Sequence, residues 1–277
     1  MRIRHVMWSA IACTLLAAAS IHAEDAPPPP IPDDLLPAVQ AAEETGRRLQ
    51  RLDRAGWIAT DVIQADRAAR KLRRSVRGWI TEATDTGTRV SFHDGSEPAR
   101  PVYVVDIDQT GRSTVVDVAA DASFGEDAQA LVRARTAALS ESFLQCSRTY
   151  NSVVFAEGDE IHVYLMPGTT KPDVFPAGGH HLFVFDASGR ALRSRRPFTN
   201  GCIDLASGDP PKGHRAALMM VTHLLDPQPT EIHVFISLNA PVPLVVATSS
   251  PRSPDKPMGW QVDEGRISVL FHPDEPD

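Results

Sequence analysis

His181 and Cys202 carry the sharpest chemical signal in this chain of 277 residues. A thiol becomes a nucleophile when a nearby imidazole takes its proton and the surroundings favour the thiolate. His181 could be that base and Cys202 that nucleophile. Asp204 works against the assignment, because a neighbouring carboxylate disfavours a thiolate. The competing chemistry is a cross-link. Past residue 23 the chain holds two cysteines, Cys146 and Cys202, and an even pair in an oxidising compartment reads first as a disulfide. Two buried thiols, or one reactive thiol, are the other possibilities.

A second set of residues could hold a metal. Glu160-Ile-His-Val-Tyr164 is echoed by Glu231-Ile-His-Val-Phe235. In strands, Glu160 and His162 share one face, as do Glu231 and His233. If the strands pair, two imidazoles and two carboxylates gather on one face, a set that suits zinc. No HExxH and no tight Cys/His spacing accompanies them, so the plainer expectation is a half-exposed polar face with local Glu–His pairs. Ile161, Val163, Ile232 and Val234 would then form the core face. Hydroxyl chemistry has candidates in Ser147, Thr149, Thr169, Thr170 and Thr222, but neither G-x-S-x-G nor S-x-x-K is present. The Pro- and Gly-rich stretch from Pro167 to Gly179 is long for a hairpin loop and reads either as a binding loop or as a cover for a sheet edge.

The elements that must position these residues follow from periodicity. A helix is expected from about Asp34, with Leu35, Val39, Ala42, Gly46, Leu49 and Leu52 in one stripe. A second amphipathic segment covers 57–72 with Trp57, Ile58, Val62 and Ile63. The arginines crowding this region read as a solvated helical face. From Gly78 the period changes to two, with strands at 78–82, 89–93, 102–108 and 113–119. A helix over about 125–143 opens on a Ser123/Glu126 capping box. Strands are expected at 152–156, 159–166, 180–186, 190–195, 217–225, 230–238, 243–248 and 266–270. The class is α+β: an N-terminal helical segment, then a largely antiparallel β-sheet with one internal helix. The pattern shows no βαβ alternation and no glycine fingerprint, which disfavours a dinucleotide-binding fold.

Residues 1–23 read as a secretory signal peptide: Arg2 and Arg4, an apolar run from Val6 to Ala19, and a small-residue site ending at Ala23. Residues 24–33, with Pro27 to Pro30 and Pro32, form a Pro-rich linker, and 34–277 reads as one domain with a possible sub-boundary near residue 145. The whole chain carries a formal charge of −7, and removing 1–23 makes it −9. That charge disfavours nucleic acid as a partner, and no apolar stretch past the leader is long enough for a transmembrane span. The expected location is periplasmic or secreted.

Several segments resemble a family of exported bacterial proteins with no assigned activity: Arg77-Gly-Trp-Ile80, Cys146-Ser-Arg-Thr-Tyr-Asn151, Tyr164-Leu-Met-Pro-Gly-Thr-Thr170, the run from Phe198 to Cys202, and the stretch from Thr222 to Phe235. The resemblance implies export and a single unit. His181 together with Thr199-Asn-Gly-Cys-Ile-Asp-Leu205 resembles the L,D-transpeptidase motif. That resemblance implies Cys202 as nucleophile and His181 as base. Asn200 stands where that family has a His, Asp204 where it has Arg or Asn, and its upstream Thr-Pro-x-Gly segment is missing. The leading functional expectation is a non-enzymatic periplasmic binding or envelope-accessory protein. A cysteine-dependent cell-wall enzyme and a metal-dependent hydrolase or metal binder are the alternatives.

Overall fold

A computed structural model describes residues 28–169, 171, 173–207, 217–250 and 256–271. Residues 1–23, expected as a signal peptide, residues 24–27 of the expected linker, Thr170 and Pro172 lie outside the described residues. The fold is α+β, as the periodicity predicts, but the strands divide among several sheets rather than one.

Helix α1 runs unbroken from Leu36 to Ala65 and replaces the two segments expected here. Its buried residues include Val39, Ala42, Gly46, Leu49, Asp53, Gly56, Ala59 and Ile63. They keep three/four spacing throughout, so the stripe passes through Asp53 and Gly56 without a break. Trp57 lies off the stripe and is 62% exposed, contrary to its expected place. Asp34 is not the N-cap; Leu35 holds that position, and the chain turns extended at Asp66. Short 3-10 turns at Ala68–Arg70 and Leu72–Arg74 follow.

Strands β1 (Gly78–Thr84), β2 (Gly87–His93), β3 (Pro101–Asp108) and β4 (Ser113–Val116) form an antiparallel meander. Val90, Phe92, Val105 and Ile107 close one core cluster against Ala55, Ala59 and Ile63 of α1. Helix α2 (Glu126–Ser140) begins at Gly125, not at the expected Ser123 box, with Glu126 and Asp127 in its positive first turn.

The central sheet has the order β5-β6-β8-β9, from β5 (Tyr150–Glu157), β6 (Glu160–Pro167), β8 (His181–Asp186) and β9 (Leu192–Pro197). One face, with Val154, Ile161, Val163, Leu165, Phe183 and Phe185, packs on Leu131, Ala134 and Ala138 of α2. The opposite face, with Val153, Phe155, Tyr164 and Met166, joins a cluster shared with the N-terminal half of α1. Burial on both faces explains why Tyr164 is fully buried despite its position on the polar side of the pattern.

The third sheet has the order β11-β12-β13-β14, from β11 (Met219–His223), β12 (Leu244–Ser249), β13 (Pro257–Asp263) and β14 (Arg266–Phe271). β11 and β12 are parallel, and helix α3 (Glu231–Ser237) connects them. This corrects two expectations: a βαβ unit exists, and the second Glu-Ile-His-Val segment is helical. The cause is local. Thr230 caps the helix and His233 takes the third helical position, where its ring accepts from the Thr230 N–H. That reciprocal box, with His where Glu or Gln is usual, outweighs the β-propensity of Ile, Val and Phe. Trp260 on β13, a strand the sequence reading passed over, is fully buried against Leu244 and Val246 in the shared cluster.

Candidate functional site

Cys146 and Cys202 are joined in a disulfide with a Cα–Cα distance of 5.3 Å. Cys146 lies between α2 and β5, and Cys202 lies between β9 and β10 (Asp204–Ala206). The bond ties the two segments beside the start of β8. The stretch from Pro167 to Gly179 is part of this assembly. Its strand β7 (Val174–Pro176) pairs antiparallel with β10, and the N–H groups of Ala177 and Gly178 both donate to the Ile203 carbonyl. Phe175 packs against the shared core, so β7 covers part of that core.

His181 opens β8 near this cross-link. Its Nε2 lies 3.0 Å from the Leu144 carbonyl, which can only accept, so the proton sits on Nε2. Burial lowers the pKa of His181, and the Leu144 contact partly opposes that shift. The ring packs at 5.0 Å from Phe143 and 6.3 Å from Phe183, and Phe143 and Phe183 are 6.1 Å apart. These three rings help line an open groove of about 480 Å³, together with Ser142, Leu144, Arg195, Thr199 and Asn200. Cross-strand pairing puts Arg195 directly opposite Phe183. Thr199 is engaged internally, accepting from the Gly179 N–H and donating to the Gly201 carbonyl.

A polar network lies on the other side of β8 and β9. Arg196 donates to both carboxylate oxygens of Asp226, at 2.8 and 2.7 Å, and His223 Nε2 donates to Asp226 at 2.7 Å. Burial pushes the Asp226 carboxyl up, but the His223 bond and the Arg196 charge bring it below the usual carboxylate range. The His223 and His233 rings meet edge-on at 4.8 Å. Burial, with His223 and His180 nearby, pushes His233 down to about 3. His180 is likewise driven to about 4 by burial, while its contact with the Pro176 carbonyl opposes the shift. Tyr164 donates to Glu231 at 3.0 Å. Burial and that carboxylate hold the phenol well above its ordinary value.

The structure separates the expected zinc constellation. Glu160 and His162 sit on β6, where His162 lies 3.5 Å from Glu160 and 3.9 Å from Glu157. Glu231 and His233 sit on α3 with different partners, Tyr164 and Thr230. Among the described residues, no group of three or more His, Cys, Asp or Glu is placed to hold a metal ion. His233 is buried at 4% exposure, not half-exposed as a strand position would make it. Ile161, Val163, Ile232 and Val234 are core residues, as the pattern predicts.

Sequence reading did not single out Arg195, Arg196, Asp226, Phe143 or Leu144 as site residues. The Arg-Ser-Arg-Arg run at 193–196 is a visible signal, since alternation sends Arg195 and Arg196 to opposite faces of one strand. Among the described residues, no helix is long and apolar enough to cross a membrane. No family model matches this chain, and neither a curated protein nor a solved structure is significantly similar to it.

Proposed function

We propose that this chain is an exported protein of the bacterial envelope or periplasm that binds a ligand and performs no cysteine chemistry. The Cys146–Cys202 bond carries the reading. A sulfur in a disulfide is not a thiolate, so Cys202 has no nucleophile for His181 to activate. Nε2 of His181, moreover, is committed to the Leu144 carbonyl. The cross-link instead holds the two segments that wall the groove, the role of a rigid support for a binding surface. The leader-like sequence of 1–23 and the disulfide both agree with an oxidising compartment.

The test is a thiol count. Residues 24–277, exported by the cell, purified without reductant and then denatured, should show no titratable thiol, and two after reduction. A free thiol in the natively folded, exported protein would reinstate the cysteine-enzyme reading.

A further inference from the structure

We propose that the groove beside the disulfide binds a small carboxylic acid with an apolar body, such as an aryl or short acyl carboxylate. The inference rests on the reading of the chain as a binding protein and names the class of its ligand. Four observations support it. The volume of about 480 Å³ falls in the range of small-molecule sites. One part is apolar: Phe143 is half-buried, in ring contact with the buried Phe183, and Leu144 is 43% exposed. The lining includes Arg195 and Arg196 and no Asp or Glu, in a chain whose acids outnumber its bases 35 to 28, but Arg196 turns its guanidinium to the opposite face of β9. Arg196 is already paired with Asp226.

Arg195 is the remaining cation. Neither an ion pair nor a side-chain hydrogen bond joins its guanidinium to another described residue. Its backbone is fixed in β9 opposite Phe183, so its side chain leaves the sheet on the same face as Phe183. A planar guanidinium takes a carboxylate through two parallel N–H···O bonds. An anion with an apolar body would satisfy Arg195 and cover Leu144 and Phe143 together. An inorganic anion would leave the apolar wall exposed, and a neutral apolar molecule would leave the arginine without a counter-charge. The larger groove between α1 and the β3–β4 turn, about 660 Å³, has no such single sign, because Asp108 lies there with Arg51 and Arg54.

Calorimetric titration of the oxidised protein with benzoate, benzamide and inorganic phosphate tests the inference. Benzoate should bind, and benzamide and phosphate should each bind at least about tenfold more weakly. Arg195→Gln should weaken benzoate about tenfold or more with an unchanged Tm. Leu144→Asp, at an exposed position, should abolish binding and also leave Tm unchanged. Equal binding of benzoate and benzamide, equal binding of benzoate and phosphate, or an Arg195→Gln variant that binds benzoate normally would overturn the proposal. So would the absence of benzoate binding at millimolar concentration. That last outcome, in a protein without free thiols, refutes the ligand class and leaves the binding reading standing. A free Cys202 thiol refutes the claim of no cysteine chemistry whatever benzoate does.

Discussion

Replacing Asp53 by Asn should stabilise the protein, and by an amount that depends on pH. Asp53 sits on the buried stripe of α1 and is 9% exposed. Among the described residues its carboxylate accepts one hydrogen bond, from the Asn151 amide at 3.2 Å, which only partly offsets desolvation, and burial pushes the carboxyl up to about 6 from 3.8. Between those values the folded state holds a proton that the unfolded chain has released. Stability therefore falls as pH rises through this window and stays low above it. The shift corresponds to about 3 kcal/mol at pH 7.5. An Asn at this position keeps an oxygen that can accept from Asn151 and carries no charge. Its extra N–H donors lose water, at a cost of about 1 kcal/mol. The net gain is then about 2 kcal/mol at pH 7.5. At pH 5 the wild-type penalty is only about 1.5 kcal/mol, so the gain falls below about 1 kcal/mol. Urea unfolding of Asp53→Asn and wild type at the two pH values measures both numbers. A gain of the same size at both, or none at pH 7.5, would show that Asp53 is not held in a desolvating site.

Four further outcomes follow from the packing. A Cβ on Gly46 would lie 2.5 Å from Cβ of Val234 and 2.8 Å from the Glu231 carbonyl, where α1 crosses α3. Gly46→Ala should therefore lose about 2 kcal/mol in chemical denaturation, even after the roughly 1 kcal/mol that Ala gains over Gly in a helix. Cys146→Ser and Cys202→Ser should each cost about 4 kcal/mol, from a separation of 56 residues in the chain-entropy relation, and the double variant no more than either single; additive losses would exclude a shared bond. His233→Ala should cost about 2 kcal/mol, because it strips the Thr230 N–H of its acceptor inside the core, and chelator should move neither variant nor wild type. Burial lowers His93 to about 4, with Arg135 adding to it, and lowers His180 to about 4 and His233 to about 3. Each supports the fold above pH 6.5 and withdraws about 2 kcal/mol by pH 5, so the urea midpoint should drop between pH 7 and 5; a flat profile would mean these rings are solvated.

The two Glu-Ile-His-Val segments show how far local pattern reaches. They share residue types and apolar alternation, yet one is strand β6 and the other helix α3. Ile232 and Val234 are buried in either conformation, so the core assignment survived the wrong element. His233 did not, because helical spacing and the Thr230 cap turn its ring inward, where strand alternation would have left it half-exposed. The deciding signal was Pro229-Thr230-Glu231, a helix start, and His at the third helical position masked it. Strands β1, β2, β3, β5 and β8 were legible because each has a clear period or a turn beside it. β13 was not, because Pro257, Gly259 and the nearby prolines suggest a loop. Only pairing with both β12 and β14 makes it a strand.

For the site, the cysteine pair was legible and the surface it supports was not. The glycines before His180 give the physical reason. Gly179 has φ +82°, and a Cβ there would lie 2.6 Å from the Cys146 Sγ. A Cβ on Gly178 would lie 2.3 Å from the Gly201 carbonyl oxygen. The chain can enter β8 beneath the disulfide only because both positions lack side chains. A Gly-Gly pair directly before a strand therefore marks a close crossing of backbones, but its partner lies in residues far along the chain. The same crossing fixes the roles of the adjacent histidines. His180 turns into the core against the Pro176 carbonyl, and His181 turns to the groove with Phe143 and Phe183. The spacing between His181 and Cys202 that resembles a catalytic motif is, in this fold, the length of chain that runs along β8 and β9 and returns to the bond with Cys146. Reversal of adjacent strands brings the histidine and the cysteine to one end of the sheet whether or not a thiol is free, so spacing alone could not separate a nucleophile from a cross-link.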